Sequence, residues 1–303
     1  MSMYGSMQEL IGNTPLVRLP NLGLPEELKI YAKLELYNPA GSVKDRIGKY
    51  MIEDAEQREN LKPGDTIIEA TAGNTGLGIA FAALNRGYRL IFTVPTKFSE
   101  EKQTLLRALG AQIINTPLED GMLGAAKKAE ELRAQIPNSI TLEQFKNKSN
   151  PKAHYETTGP EIYRDLNGNI DYLVAGAGSG GTFSGVMQYL KEKNPKIQGV
   201  LADPYGSTIG GGEHADYEIE GIGNDFIADT MDMSMVDRVI KVSDAEAIEQ
   251  VRHLAKTEGI FAGSSSGAAL AAVFKLAQTV HFGTVVVIIP DRGDRYFSKH
   301  IFG

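Results

Sequence analysis

From Thr66 onward, short apolar runs rich in β-branched residues alternate with longer stretches in which apolar residues recur at helical spacing. Two strands joined by a helical crossover of about a dozen or more residues pair in parallel, because the helix returns the chain along the sheet face. This alternation constrains the fold more than any other feature, and it predicts an α/β class built on parallel-type sheets. Strands are expected over Thr66–Ala70, Leu90–Val94, Ala111–Asn115, Ile170–Ala175, Gly199–Ala202 and Thr284–Ile289. Helices are expected over Thr75–Asn85, Glu100–Leu109, Ala125–Ala134, Ala153–Leu166, Thr182–Lys193, Asp244–Glu258 and Gly267–Ala277. Ile30–Leu36 adds a strand-like run near the start.

The polar stretch Lys146–Lys152 interrupts the alternation, and 303 residues are many for a single core. Two α/β domains are therefore expected, 1–150 and 151–303, with the first ~35 residues open to packing on the other domain. Between Tyr205 and Asp229 the chain is rich in glycine and aspartate and has little periodicity. Loops this long in a compact domain commonly carry function.

The formal charge of -7 and pI near 5.4 give no attraction to nucleic acid or to anionic membranes, so neither is expected as a partner. The absence of cysteine removes disulfides, thiolate metal sites and a cysteine nucleophile together, and no metal site is expected. The start of the chain has no basic segment followed by an apolar core, and apolar runs such as Thr284–Ile289 are far shorter than a membrane span. A cytoplasmic protein acting on small molecules follows.

Four motifs sit at turns that lead into helices. In AGAGSGGTFSG, Ala175–Gly185, successive glycines let a ligand approach the backbone, and the N–H groups of a helix start attract an anion. Gly178, Ser179, Gly180, Gly181 and Thr182 would cradle a phosphate without help from lysine or arginine. The same stretch also satisfies G-x-G-x-x-G through Gly176, Gly178 and Gly181, with Asp203 placed where a dinucleotide site needs a ribose-binding acid, so a nicotinamide site stays open on this loop.

In NPAGSVKDR, Asn38–Arg46, residues Pro39, Gly41 and Ser42 read as a turn and an N-cap that place Lys44 in the first turn of a helix. A lysine at the positive end of a helix loses its proton more readily, and a neutral amine is what forms a Schiff base. A solvated lysine balanced by Asp45 is the bland alternative. EATAGNTG, Glu69–Gly76, offers hydroxyls, an amide and helix-start N–H groups that suit a carboxylate, or else a capped turn. AGSSSGA, Ala262–Ala268, carries serines that serve equally as caps.

Further segments stand in the same order: IGNTPLVRL at Ile11–Leu19, EKQTLLRALGA at Glu101–Ala111, QF at Gln144–Phe145 and EGIG at Glu220–Gly223. Together with the four turns they cover nearly the whole chain, and they resemble the cysteine synthase and cystathionine β-synthase family of pyridoxal 5′-phosphate (PLP) enzymes. The resemblance implies the tryptophan synthase β-like architecture, PLP fold type II, and assigns the glycine loop to the cofactor phosphate. It implies that Lys44 carries PLP as a Schiff base and acts as the catalytic base, and that Asn74 bonds the cofactor's phenolic oxygen. Thr71, Ala72, Gly73 and Thr75, with Gln144 and Gly221, would bind an amino acid substrate. Ser265 aligns best with the family serine that faces the pyridine nitrogen, with Ser264 and Ser266 as neighbouring choices.

A neutral hydroxyl at that nitrogen leaves the substrate carbanion less delocalised than an aspartate would, which favours loss of a β-substituent over racemisation or transamination. The implied activity is β-replacement on O-acetyl-L-serine or serine, adding homocysteine to give cystathionine or sulfide to give cysteine. Ala72, where many cysteine synthases have serine, and the segment Tyr205–Gly223 resemble a bacterial O-acetylserine-dependent cystathionine β-synthase subgroup. Asp203 and PDRGDRY at Pro290–Tyr296 depart from it. With Gly303 as its last residue, the chain is expected to lack the regulatory module of larger cystathionine β-synthases. The family pattern also implies a homodimer and a serine acetyltransferase tail as partner. A serine or threonine deaminase, a nicotinamide-dependent dehydrogenase and a catalytically silent binding protein are the competing readings. For the loop Tyr205–Gly223 the expectation is that Tyr205, Ser207, Thr208 and Glu213 read the second substrate.

Overall fold

The computed structural model describes residues 3–71, 73–96 and 100–303. In chain order the strands are β1 (Leu16–Arg18), β2 (Leu28–Leu34), β3 (Thr66–Ala70), β4 (Arg89–Pro95), β5 (Gln112–Thr116), β6 (Ser139–Ile140), β7 (Tyr172–Gly176), β8 (Gln198–Pro204), β9 (Arg238–Val242) and β10 (Gly283–Ile289). The α-helices are α1 (Lys44–Gln57), α2 (Asn74–Ala82), α3 (Glu100–Ala108), α4 (Gly121–Gln135), α5 (Ser149–Ala153), α6 (Gly159–Asp165), α7 (Gly181–Lys193), α8 (Asp244–Glu258) and α9 (Ser264–Ala277). Two compact units form, one from Met1–Ile11 with Lys44–Ser149 and one from Gly12–Val43 with Asn150–Gly303. No helix among the described residues is long and apolar enough to cross a membrane.

The first unit holds a sheet in the order β5-β4-β3-β6, parallel throughout. Its central strands are buried on both faces: Ile67, Ile68, Phe92 and Val94 are inaccessible to solvent. Helix α4 covers one face, where Ile68, Ile91 and Ala129 cluster. Helices α1 and α2 cross with their backbones in contact, because both carry glycine at the crossing. A Cβ on Gly48 would lie 2.3 Å from the carbonyl carbon of Gly78, and one on Gly78 would lie 2.2 Å from the carbonyl oxygen of Lys44.

The second unit holds a sheet in the order β1-β2-β10-β7-β8-β9, in which only β1 runs antiparallel to its neighbour. The apolar run of β10 lacks polar alternation because both faces are covered. Val285, Val287 and Ile289 enter the core under α8 and α9, whereas Val286 and Ile288 join Phe183, Val186 and Leu190 of α7. Helix α8 begins on a capping box, with the Ser243 hydroxyl accepting from the Glu246 N–H and the Glu246 carboxylate accepting from the Ser243 N–H.

Two expectations change. The single helix over Ala153–Leu166 is instead α5, a π-helical turn at His154–Thr158, and α6, whose first turn contains Pro160. Strand β9 lies beyond the aperiodic stretch Tyr205–Asp229, where no strand is expected; it is an edge strand with mixed burial, so its residues lack clean alternation. Lys44 is the first residue of α1, and Ser42, two residues before it, forms a β-bridge with Asp291.

Candidate active site

In the second unit, the turn that leads to Lys44 is fastened from two directions. Asn38 accepts from the Gly12 N–H at 2.9 Å and donates to the Glu35 carboxylate at 2.9 Å, while the Thr14 hydroxyl donates to Glu35 at 2.6 Å. Below it, the buried Lys33 ammonium pairs with Glu161 at 2.7 Å and donates to the Thr14 carbonyl. IGNTP is thus the strap over this turn. From the other direction, the Val43 N–H bonds the Pro290 carbonyl at 2.8 Å and the Arg295 guanidinium bonds the Ala40 carbonyl. PDRGDRY therefore braces the turn, and its Ala262–Arg292 bridge braces AGSSSGA as well.

In the first unit, Lys44 is the first residue of α1. The turn after β3 brings Thr71, Gly73, Asn74 and Thr75 together with Gln144. The Thr71 hydroxyl accepts from the N–H of Gly73 at 3.4 Å and of Gly76 at 3.3 Å, and the Thr75 hydroxyl donates to the Gln144 side-chain carbonyl at 2.6 Å. Asn74 opens α2. Ala72 lies outside the described residues.

Gln144 itself is held by a residue not anticipated as functional. The carboxylate of Glu69 accepts the N–H groups of Leu142 at 2.9 Å, Glu143 at 3.3 Å and Gln144 at 3.5 Å. Burial pushes its carboxyl up to about 7, against the pull of those three N–H donors. A carboxylate directly after the apolar pair Ile67–Ile68 in β3 was the available signal.

The glycine loop in the second unit has Gly180 at φ +79°, and it has no room for a side chain at its entrance. A Cβ on Gly178 would lie 2.7 Å from the carbonyl oxygen of Gly221, and one on Gly181 would lie 2.0 Å from Asn150 Oδ1. Polar side chains lock the loop: Asn150 donates to the Ser179 hydroxyl at 2.9 Å, Thr230 bonds the Ser179 carbonyl, and Asn224 donates to the Gly178 carbonyl at 3.1 Å. The buried His154 ring bridges Thr158 at 2.9 Å and Thr182 at 3.1 Å. Sequence patterning missed these supports, since all four lie outside the glycine motif.

Asp203 does not serve a ribose. It is fully buried, accepts from the Lys241 ammonium at 2.6 Å and from the Gly210 N–H at 2.9 Å, and so anchors the 205–223 loop. In AGSSSGA the cap of α9 is Gly263, with no side-chain cap bond. Ser264 accepts from the Glu220 N–H at 3.0 Å, Ser265 is buried, and the buried Ser266 hydroxyl has no hydrogen-bond partner among the described residues.

The model of a family described as pyridoxal-phosphate dependent enzyme matches residues 7–291. The chain belongs to that family. The dehydrogenase reading falls with this match, in agreement with the buried ion pair of Asp203. The chain is 50% identical over 303 residues, 100% of its own length and 99% of the relative's, to a Bacillus subtilis protein named O-acetylserine dependent cystathionine β-synthase. It is 48% identical over 300 residues to a Helicobacter pylori cysteine synthase, covering 98% of each chain. The crystal structure of O-acetylserine dependent cystathionine β-synthase from Helicobacter pylori superposes with a TM-score of 0.95 at 45% identity, covering 100% of both chains.

As a member of this family the enzyme uses PLP, and the residues present fit it. The loop Gly178–Thr182 opens a 13-residue helix, whose first-turn N–H groups have no acceptor within the helix. Glycine at 178 and 181 keeps Cβ atoms out of contacts already filled by Gly221 and Asn150, which leaves the backbone bare for a phosphate. Lys44 would supply an amine, and the polar groups at Asn74 and Ser265 are of the types that suit the ring oxygen and ring nitrogen.

Proposed function

We propose that this enzyme replaces the β-substituent of O-acetyl-L-serine, with serine as a second choice, adding homocysteine to give cystathionine or sulfide to give cysteine. The observation that carries this reading is the 50% identity, over the whole chain, to a relative named for the O-acetylserine-dependent reaction. Bound PLP supplies the electron sink that lets the substrate's α-proton and β-substituent leave. In this reading Lys44 Nζ takes the α-proton, and Thr71, Gly73, Thr75 and Gln144 bind the substrate carboxylate. Gly178, Ser179, Gly180, Gly181 and Thr182 would hold the cofactor phosphate, Asn74 its phenolic oxygen and Ser265 its pyridine nitrogen. Gly221, beside Gly178, borders the substrate.

The neutral Ser265 hydroxyl favours elimination of the leaving group over transamination. Added thiol distinguishes β-replacement from a deaminase, which needs none. The test is turnover of O-acetylserine with homocysteine against O-acetylserine with sulfide. Consumption of O-acetylserine without a thiol-dependent product would replace this reading with the deaminase. The proposal extends to a homodimer, to a cytoplasmic location and to docking of a serine acetyltransferase tail.

A further inference from the structure

Strand β3 is apolar until its end, where Glu69 is buried one residue before the turn of EATAGNTG. Its neighbour β6 pairs with β3 only at Ser139 and Ile140. Beyond that point the ladder stops, and the N–H groups of residues 142 to 144 must find other acceptors or lose hydrogen bonds. Glu143 also stands at φ +52°, a left-handed conformation that a residue with a side chain adopts only when its surroundings impose it. Glu69 meets both needs, since its two oxygens accept all three N–H groups. The Gln144 side chain leaves this turn to meet the Thr75 hydroxyl at 2.6 Å.

We propose that Glu69 is a positioning residue for the amino acid substrate: by gripping the backbone of Leu142, Glu143 and Gln144 it places the Gln144 amide against Thr75. The proposal rests on the reading of Gln144 and Thr75 as part of the substrate carboxylate site. Glu69 touches no reacting atom. Its effect is on affinity, because a misplaced Gln144 weakens the bound substrate and its transition state alike.

Glu69→Gln tests this at nearly constant size, since its amide group turns an N–H toward donors that need an acceptor. The expected result is a KM for O-acetylserine about tenfold higher with kcat within about twofold. Amide hydrogen exchange over residues 141–146 is expected to accelerate by about tenfold or more. Gln144→Ala, measured in parallel, is expected to raise the same KM. If Gln144→Ala raises KM while Glu69→Gln changes neither KM nor exchange, Glu69 has no positioning role and the substrate-site reading stands. If Gln144→Ala leaves KM unchanged, that reading fails and takes the proposal with it. Should Glu69→Gln fail to fold, Glu69→Asp, which retracts the carboxylate by one methylene, is expected to show the same split. An unchanged KM in Glu69→Asp would overturn the proposal.

Discussion

A buried carboxylate is costly unless its charge is answered, and the answer to Glu69 comes from three backbone donors rather than a cation. Its carboxyl, raised by burial from 4.5 to about 7, binds a proton in the folded chain where the unfolded chain has already lost it. The folded state thus holds more protons between about pH 4.5 and 7, so this residue lowers stability as pH rises through that window. The full penalty above pH 7 is on the order of 3 kcal/mol, at about 1.4 kcal/mol per tenfold change. Glu69→Gln loses hydrogen bonds at every pH but escapes this penalty. Its melting temperature is therefore expected to fall well below wild type at pH 5 and to approach wild type at pH 8. A gap that widens with pH would show that the Glu69 carboxyl is not raised.

Among the elements, the crossing of α1 and α2 governs where Lys44 stands. Gly78→Ala would press a methyl against the Lys44 carbonyl, a backbone atom that moves only if α1 moves. The expected cost is about 1–3 kcal/mol, the range for overpacking, with kcat reduced more than the melting temperature would imply because the lysine itself is displaced. Activity that survives in proportion to the folded fraction would show that the crossing tolerates a shift. The 205–223 loop divides in two. Ser207 is buried with its hydroxyl bonded to the Asn224 carbonyl, and Thr208 shares that acceptor, so these two hold the loop's base. Tyr205 and Glu213 are exposed, and the Lys275 ammonium stands 5.8 Å from the Tyr205 ring centroid. Homocysteine brings an ammonium and a carboxylate that need polar partners, and sulfide has neither. Tyr205→Ala and Glu213→Ala are expected to lower kcat/KM for homocysteine at least about tenfold more than for sulfide. Ser207→Ala is expected to lower both equally, and the opposite pattern would move substrate reading to the loop's base.

At the scale of the whole molecule, legibility followed the range of the interaction. Strand β3 and helix α8 fall where patterning puts them, because apolar periodicity and a capping serine are local signals. The four turns that open helices were legible for the same reason. The supports behind them were not: His154 meets Thr182, and Glu69 meets Gln144, across separations of 28 and 75 residues that single-sequence periodicity does not register. The longest-range case is β2, which pairs with β10 in parallel register from Leu28↔Gly283 to Leu34↔Ile289; the strand-like run was legible, but not which strand it pairs with. Strand β10 is hydrogen-bonded on its other side to β7, so β2 is what keeps it from being a sheet edge. An edge made of Val285, Val286, Val287, Ile288 and Ile289 would offer unpaired backbone on an apolar strand without a charge or proline to block further pairing. A fragment spanning residues 150–303 alone is therefore expected to aggregate on expression. The same fragment fused to residues 12–43, which restore β1 and β2, is expected to be recovered in the soluble fraction with cooperative melting. A well-behaved monomer from 150–303 alone would show that the second unit closes its sheet without the N-terminal strands, and that their pairing is an addition to a core already complete.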